Sequence, residues 1–283
     1  MLGASRPKVV LFGSSIVQYG YYEGWGATLS HLYARKADIV VRGYAGWNSR
    51  RALEVLDILF PKDAIEQPSL VIVYFGGNDS TIANPYGIGP HVPLDEYKEN
   101  MRKIAIHMKF DTNPNNSQHL SEKTRTIFLT TPPINEAQIP NNRDPQGLPM
   151  RTNEACRIYA EACLEVCDEM NVKVVWSFLS DGIHLTNEGS KIVTTEILNV
   201  LKEAEWEPSL YWRSMTSDFG EDSPYDVVQP DGKTTINLIS NSVLLSRTLV
   251  LHHALYFTLP SYASSLTLAS DSHSGHRIHR CHL

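Results

Sequence analysis

Val9-Val10-Leu11-Phe12, closed by Gly13-Ser14-Ser15-Ile16, is the stretch that decides the fold. Four successive apolar residues, two of them β-branched, do not alternate as a half-solvated strand would; they describe a strand covered on both faces, the habit of parallel sheets. Four further runs repeat the pattern at Ile39–Val41, Leu70–Phe75, Thr126–Thr130 and Val172–Val175. Between them the apolar residues recur at helical spacing, over 25–35, 48–59, 94–109 and 153–170, with Thr152 as N-cap and Asn171 as C-cap. A last amphipathic helix over 187–205 follows, capped by Thr186 and carrying Ile192, Val193, Ile197, Val200 and Leu201. Strict alternation of strand and helix predicts a three-layer α/β/α sandwich around a mostly parallel five-stranded sheet. Ligands of such sheets bind beyond the carboxyl ends of the strands, so those ends are where chemistry should be sought.

Composition agrees with one or two globular domains. The chain has 283 residues, 42% hydrophobic and 20% charged, enough to bury a core. Its formal charge of -6 lacks the basic footprint of a nucleic-acid or anionic-membrane binder. Cys156, Cys163 and Cys167 fall on one face of the 153–170 helix and read as buried thiols rather than a disulfide framework. The amino terminus shows no charged segment leading into a long apolar one, so no signal peptide is expected and a cytoplasmic location is. Residues 235–283 differ from the body, holding six of the eleven histidines, nine serines and, as charges, three arginines and Asp271. Two units are therefore expected, a body over 1–234 and a poorly ordered tail over 235–283. Val243–Leu259 is apolar but interrupted by Arg247, His252 and His253, which argues against a membrane span.

Four strand ends carry suggestive polar groups. Ser15 stands two residues after Gly13, which permits a sharp turn, so its hydroxyl could face the crevice as a nucleophile; the Gly13-Ser14-Ser15 triplet also suits a turn with a helix-capping serine. Arg42-Gly43-Tyr44-Ala45-Gly46-Trp47-Asn48 and Phe75-Gly76-Gly77-Asn78-Asp79 offer close backbone N–H groups and an uncharged amide donor, the makings of an oxyanion hole or, taken singly, ordinary turns. Asp181 stands three residues before His184, a spacing that lets the carboxylate accept from Nδ1 and leaves Nε2 free as a base; it equally fits a loop carboxylate beside a satisfied histidine.

The four groups occur in order at successive strand ends, and together they resemble a known pattern. Ser15, Gly46, Asn78 and His184 match the marker residues of the SGNH, or GDSL-type, esterase and lipase family. VLFGSSIVQYG, RGYAGWNSR, VIVYFGGNDS and SDGIHLTNEGSKIV resemble its blocks, and PHVPLDEYKENM, TPPINE, EAEWEPSLYW and EDSPYD extend the likeness to the isoamyl acetate-hydrolysing esterase-like branch, in its plant form. The resemblance implies a serine esterase of short-chain or acetyl esters with Ser15 as nucleophile, His184 as general base and Asp181 as its orienting carboxylate. The backbone N–H groups of Ser15 and Gly46 and the side chain of Asn78 would form the oxyanion hole, with no metal or organic cofactor and a small ester as partner. Two departures stand out. Ser14 replaces the aspartate of the family's Gly-Asp-Ser, and only residues 176–180 link the fifth strand to Asp181, a reach of about 17 Å where the family places a longer element. These motivate a competing expectation, a catalytically silent relative that binds a ligand or partner. A flavodoxin-like nucleotide binder using the Gly13-Ser14-Ser15 turn would give Asn78, Asp181 and His184 nothing to do.

Overall fold

The computed structural model describes residues 6–22, 24–108, 124–139, 141–143, 147, 150–175 and 182–218. The described residues all belong to one compact unit within 1–220. The expectations for 235–283 and for the 176–180 link lie outside the described residues.

Five strands form the sheet: β1 (Lys8–Gly13), β2 (Asp38–Gly43), β3 (Leu70–Tyr74), β4 (Arg125–Leu129) and β5 (Lys173–Val175). Their order is β2-β1-β3-β4-β5 and every pairing is parallel. Register is set by the apolar pattern: Val9, Val10, Leu11 and Phe12 lie opposite Ile39 to Arg42 on one side and Leu70 to Val73 on the other. Central strands β1 and β3 are buried along nearly their whole length, while edge strand β2 exposes Asp38 and Arg42.

Alternation along the strands makes the three layers. Val10, Phe12, Val71, Val73 and Phe128 point to one face, where they pack against α3 (Ser49–Glu54), α4 (Leu56–Leu59), α5 (Leu94–Met108) and α6 (Asn153–Glu169). Val9, Leu11, Leu70, Ile72, Tyr74 and Ile127 point to the other, against α1 (Ser15–Tyr19), α2 (Trp25–Leu32) and α7 (Asn187–Glu203). Cys156, Cys163 and Cys167 are buried free thiols, and the latter two pack in the α6 face of the core. Among the described residues no helix is long and apolar enough to cross a membrane.

The two helix N-caps fall where the side chains predict, whereas the expected C-cap Asn171 lies one residue beyond the observed one. Thr152 Oγ1 accepts from the Ala155 N–H at 3.1 Å and Thr186 Oγ1 from the Gly189 N–H at 3.0 Å. α6 ends one residue before its expected limit, at Glu169 with Met170 as C-cap, and Asn171 takes the left-handed conformation (φ 48°) that closes it. The expected helix over 48–59 is instead two, because the backbone at Val55, with φ -111° and ψ 7°, leaves the helical region between α3 and α4. Asn48 belongs to no helix body; its side chain accepts from Arg51 N–H as the N-cap of α3. The helix from Trp25 stops at Leu32, three residues short, since Arg35 adopts φ 64° to turn the chain into β2.

Candidate active site

With all strands parallel, the loops after β1, β2, β3, β4 and β5 emerge on one edge. The order β2-β1-β3 puts the topological switch between β1 and β3, where the connections part in opposite directions. Ser15 follows β1 and Asn78 follows β3, so the two flank that switch.

Gly13 lets helix α1 start directly at the sheet edge. A Cβ there would fall 2.5 Å from Val17 Cγ2 and 2.6 Å from the Tyr74 carbonyl oxygen, a space no side chain can share. Ser14 is the N-cap residue; its carbonyl accepts from the Val17 and Gln18 N–H groups at 3.1 and 3.0 Å, but its side chain caps nothing. Ser15 is thereby the first residue of α1, half-buried, and its Oγ lies 3.0 Å from His184 Nε2. His184 comes from the turn before α7, and its ring meets Tyr19 edge to face at 5.2 Å. In the tautomer with the proton on Nδ1, Nε2 accepts from the serine hydroxyl, the relation of a base to its nucleophile. Asp181, the expected partner of Nδ1, lies outside the described residues.

A polar network holds the loop after β3. Buried Asp79 accepts from the Ser49 N–H at 2.8 Å through Oδ1 and from the Gly76 N–H at 3.1 Å through Oδ2, tying this loop to the start of α3. Burial pushes its carboxyl above the usual range, against the hydrogen bonds from Ser49 and Gly76 that pull it down. Gly76 has φ 122°, in a region that side chains rarely enter, and a Cβ would lie 2.1 Å from Thr131 Oγ1. Asn78 is buried in the same loop: its Nδ2 donates to the Trp47 carbonyl at 2.8 Å, and its Oδ1 accepts from Arg151 Nη2 at 2.8 Å.

The loop after β2 is fastened on both sides of Gly46. Ala45 N–H donates to Gln18 Oε1 at 2.8 Å, and Trp47, whose carbonyl receives Asn78, stacks on Tyr44 with ring centroids 4.0 Å apart. Gly46 itself is exposed, at φ 81°.

The structure thus joins Ser15 directly to His184 and sets Asn78 beside Ser15 in the lining of one cavity of about 10 Å³, shared with Thr131, Ile134 and Ile183. Gly46 is outside that lining and reaches Asn78 through its neighbour Trp47. A larger cavity of about 260 Å³ opens beyond Arg151, between Thr81, Ile88, Pro90 and Met150. No cluster of three or more His, Cys, Asp or Glu side chains among the described residues is placed to hold a metal ion.

A serine hydroxyl held against an imidazole at the switch point of a parallel sheet, beside a fixed amide donor, is an arrangement that suits a hydrolase. Residues 9–197 match the model of the GDSL-like Lipase/Acylhydrolase family. The chain is 54% identical over 252 residues to the GDSL esterase/lipase CPRD49 of Arabidopsis thaliana, covering 84% of this chain and 95% of that one. It is 56% identical over 247 residues to the GDSL esterase/lipase WDL1 of Oryza sativa subsp. japonica, covering 82% and 92%. Its fold is similar to that of Est24, a carbohydrate acetylesterase from Sinorhizobium meliloti, with a TM-score of 0.51 at 17% identity, over 70% of this chain and all of that one. The chain belongs to the GDSL-like lipase/acylhydrolase family and is a carboxylic ester hydrolase.

Sequence reasoning passed over Arg151, Asp79 and Gln18. Asp79 carried a signal, as an acidic residue among glycines at a strand end. Arg151 carried none, because it reaches Asn78 across 73 positions of chain.

Proposed function

We propose that the protein hydrolyses esters of short acyl groups through an acyl-enzyme on Ser15. The observation that carries this reading is the 3.0 Å separation of Ser15 Oγ and His184 Nε2. His184 takes the hydroxyl proton as Ser15 attacks the ester carbonyl, and the tetrahedral oxyanion that forms is received by the N–H groups of Ser15 and Gly46 and by Asn78 Nδ2. Collapse expels the alcohol, protonated by the His184 imidazolium. Water, deprotonated by the same imidazole, then releases the acid and frees Ser15. Asp181 is assigned to Nδ1 of His184, where it would fix the tautomer and stabilise the imidazolium.

Acyl size follows from the room beside the nucleophile. The cavity beside the nucleophile, about 10 Å³, is small, which supports a short acyl group. The larger space beyond Arg151 is then left to the alcohol. The buried free thiols Cys156, Cys163 and Cys167 support a reducing, cytoplasmic setting.

Rates on p-nitrophenyl esters from acetate to palmitate test the reading. The expected result is fastest turnover of acetate, a steep fall beyond butyrate, and loss of all enzymatic turnover in Ser15→Ala. Activity retained in Ser15→Ala would remove the nucleophile, and a preference for palmitate would remove the acyl-size reading alone.

A further inference from the structure

We propose that Arg151 is a positioning residue for the oxyanion hole, orienting and polarising the Asn78 amide; the inference rests on Asn78 being an oxyanion donor. The guanidinium makes two hydrogen bonds to the loop after β3, from Nη1 to the Gly77 carbonyl and from Nη2 to Asn78 Oδ1 at 2.8 Å. Its own backbone is clamped: Arg151 N–H donates to Asn142 Oδ1 and Asn142 Nδ2 donates to the Arg151 carbonyl, both at 2.9 Å. The next residue, Thr152, caps α6, so the base of the side chain is held on a rigid element.

The chemistry of the amide makes the contact consequential. An amide that turns by half a rotation exchanges its oxygen and nitrogen, and a flipped Asn78 would aim its oxygen at the developing oxyanion. In the observed orientation Oδ1 faces a cation and one Nδ2 hydrogen faces the Trp47 carbonyl, which leaves the second hydrogen for the cavity that Asn78 and Ser15 both line. Flipping would set NH₂ against guanidinium and oxygen against the carbonyl of Trp47, two repulsive contacts. Charge adds to orientation. The side-chain hydrogen bonds of Arg151 among the described residues run to the Gly77 carbonyl and to Asn78 Oδ1, neither of them a carboxylate, so its positive charge is directed at the loop that carries Asn78. Burial pulls the guanidinium below the usual arginine range. A donor whose oxygen already accepts from a cation is a stronger donor.

The test is a double-mutant cycle on the full chain with p-nitrophenyl acetate. Arg151→Met is expected to lower kcat by roughly 10–10², the range for one charged hydrogen bond, with KM changed less than about threefold. The Ki of a trifluoromethyl ketone, a mimic of the tetrahedral adduct, should rise in step with the loss of kcat. In an Asn78→Ala background, Arg151→Met should cost nothing more, because the group it acts through is gone. Arg151→Lys should recover part of kcat and serves as the readable variant if Arg151→Met fails to fold. Should Arg151→Met cost the same factor in both backgrounds, or raise KM alone, the positioning role is overturned while the oxyanion role of Asn78 stands. Should Asn78→Ala leave kcat unchanged, the oxyanion reading itself falls.

Discussion

Replacing Gly76 by alanine strains the loop that carries Asn78 in two separable ways. The backbone at φ 122° lies where an L side chain costs roughly 1–3 kcal/mol. The added methyl would sit 2.1 Å from Thr131 Oγ1 and 3.0 Å from the Tyr97 hydroxyl, and Thr131 is only 3% exposed, so the contact is relieved by a forced rotamer or a backbone shift at a further cost of about 1–3 kcal/mol. The sum, roughly 2–6 kcal/mol, is a large part of the 5–15 kcal/mol that usually holds a domain together. Urea unfolding followed by far-UV circular dichroism measures it. Thr131→Ala removes the shorter of the two contacts and leaves the one to the Tyr97 hydroxyl and the conformational cost, so a cycle of the two substitutions should show a favourable coupling of up to about 1–3 kcal/mol in the double variant. A Gly76→Ala protein within about 0.5 kcal/mol of the wild type, or a double variant no better than additive, would refute this reasoning.

Three other outcomes are expected. Asp79 holds its proton to higher pH folded than unfolded, so in the window above the ordinary carboxylate range, near 3.9, the folded state binds more protons and stability falls as pH rises. Urea midpoints of wild type and Asp79→Asn between pH 4 and 7 should therefore converge as pH increases; parallel curves would contradict the raised carboxyl. Ser14→Ala, whose hydroxyl caps no helix N–H, should keep kcat within about tenfold of the wild type where Ser15→Ala loses it, as single-turnover assays would show. A chain ending at Lys233 should keep its ester hydrolysis and its melting temperature, since 235–283 continues no pattern of the body; loss of folding would make the tail part of the core.

Much of the architecture was readable because its signals are local. Uninterrupted apolar runs such as Val9 to Phe12 report burial on both sheet faces, and Thr152 and Thr186 mark helix starts by side-chain chemistry alone. The short helix α1 was not readable, since five residues after Gly13-Ser14 show too little period to tell a helix from a turn. The break at Val55 depends on how α3 and α4 each bury one turn, a tertiary demand that helical spacing does not record. At the site, Ser15 and His184 were named from strand-end position and meet across 169 residues of chain, whereas the Arg151–Asn78 contact rests on a loop trajectory that no spacing encodes. The glycine-rich loops were legible as turns, but that Gly76 is required by Thr131, the residue two beyond β4, became visible only once β3 and β4 were paired.

The most direct measurement is covalent labelling of the intact protein by a fluorophosphonate, followed by mass spectrometry of the adduct and its peptide. An activated serine predicts one phosphonyl group per chain, on Ser15, with the labelling rate reduced by at least about 10² in His184→Ala, in line with the usual contribution of a general base. Labelling elsewhere, or an undiminished rate in His184→Ala, would contradict the pairing of Ser15 with His184 as nucleophile and base.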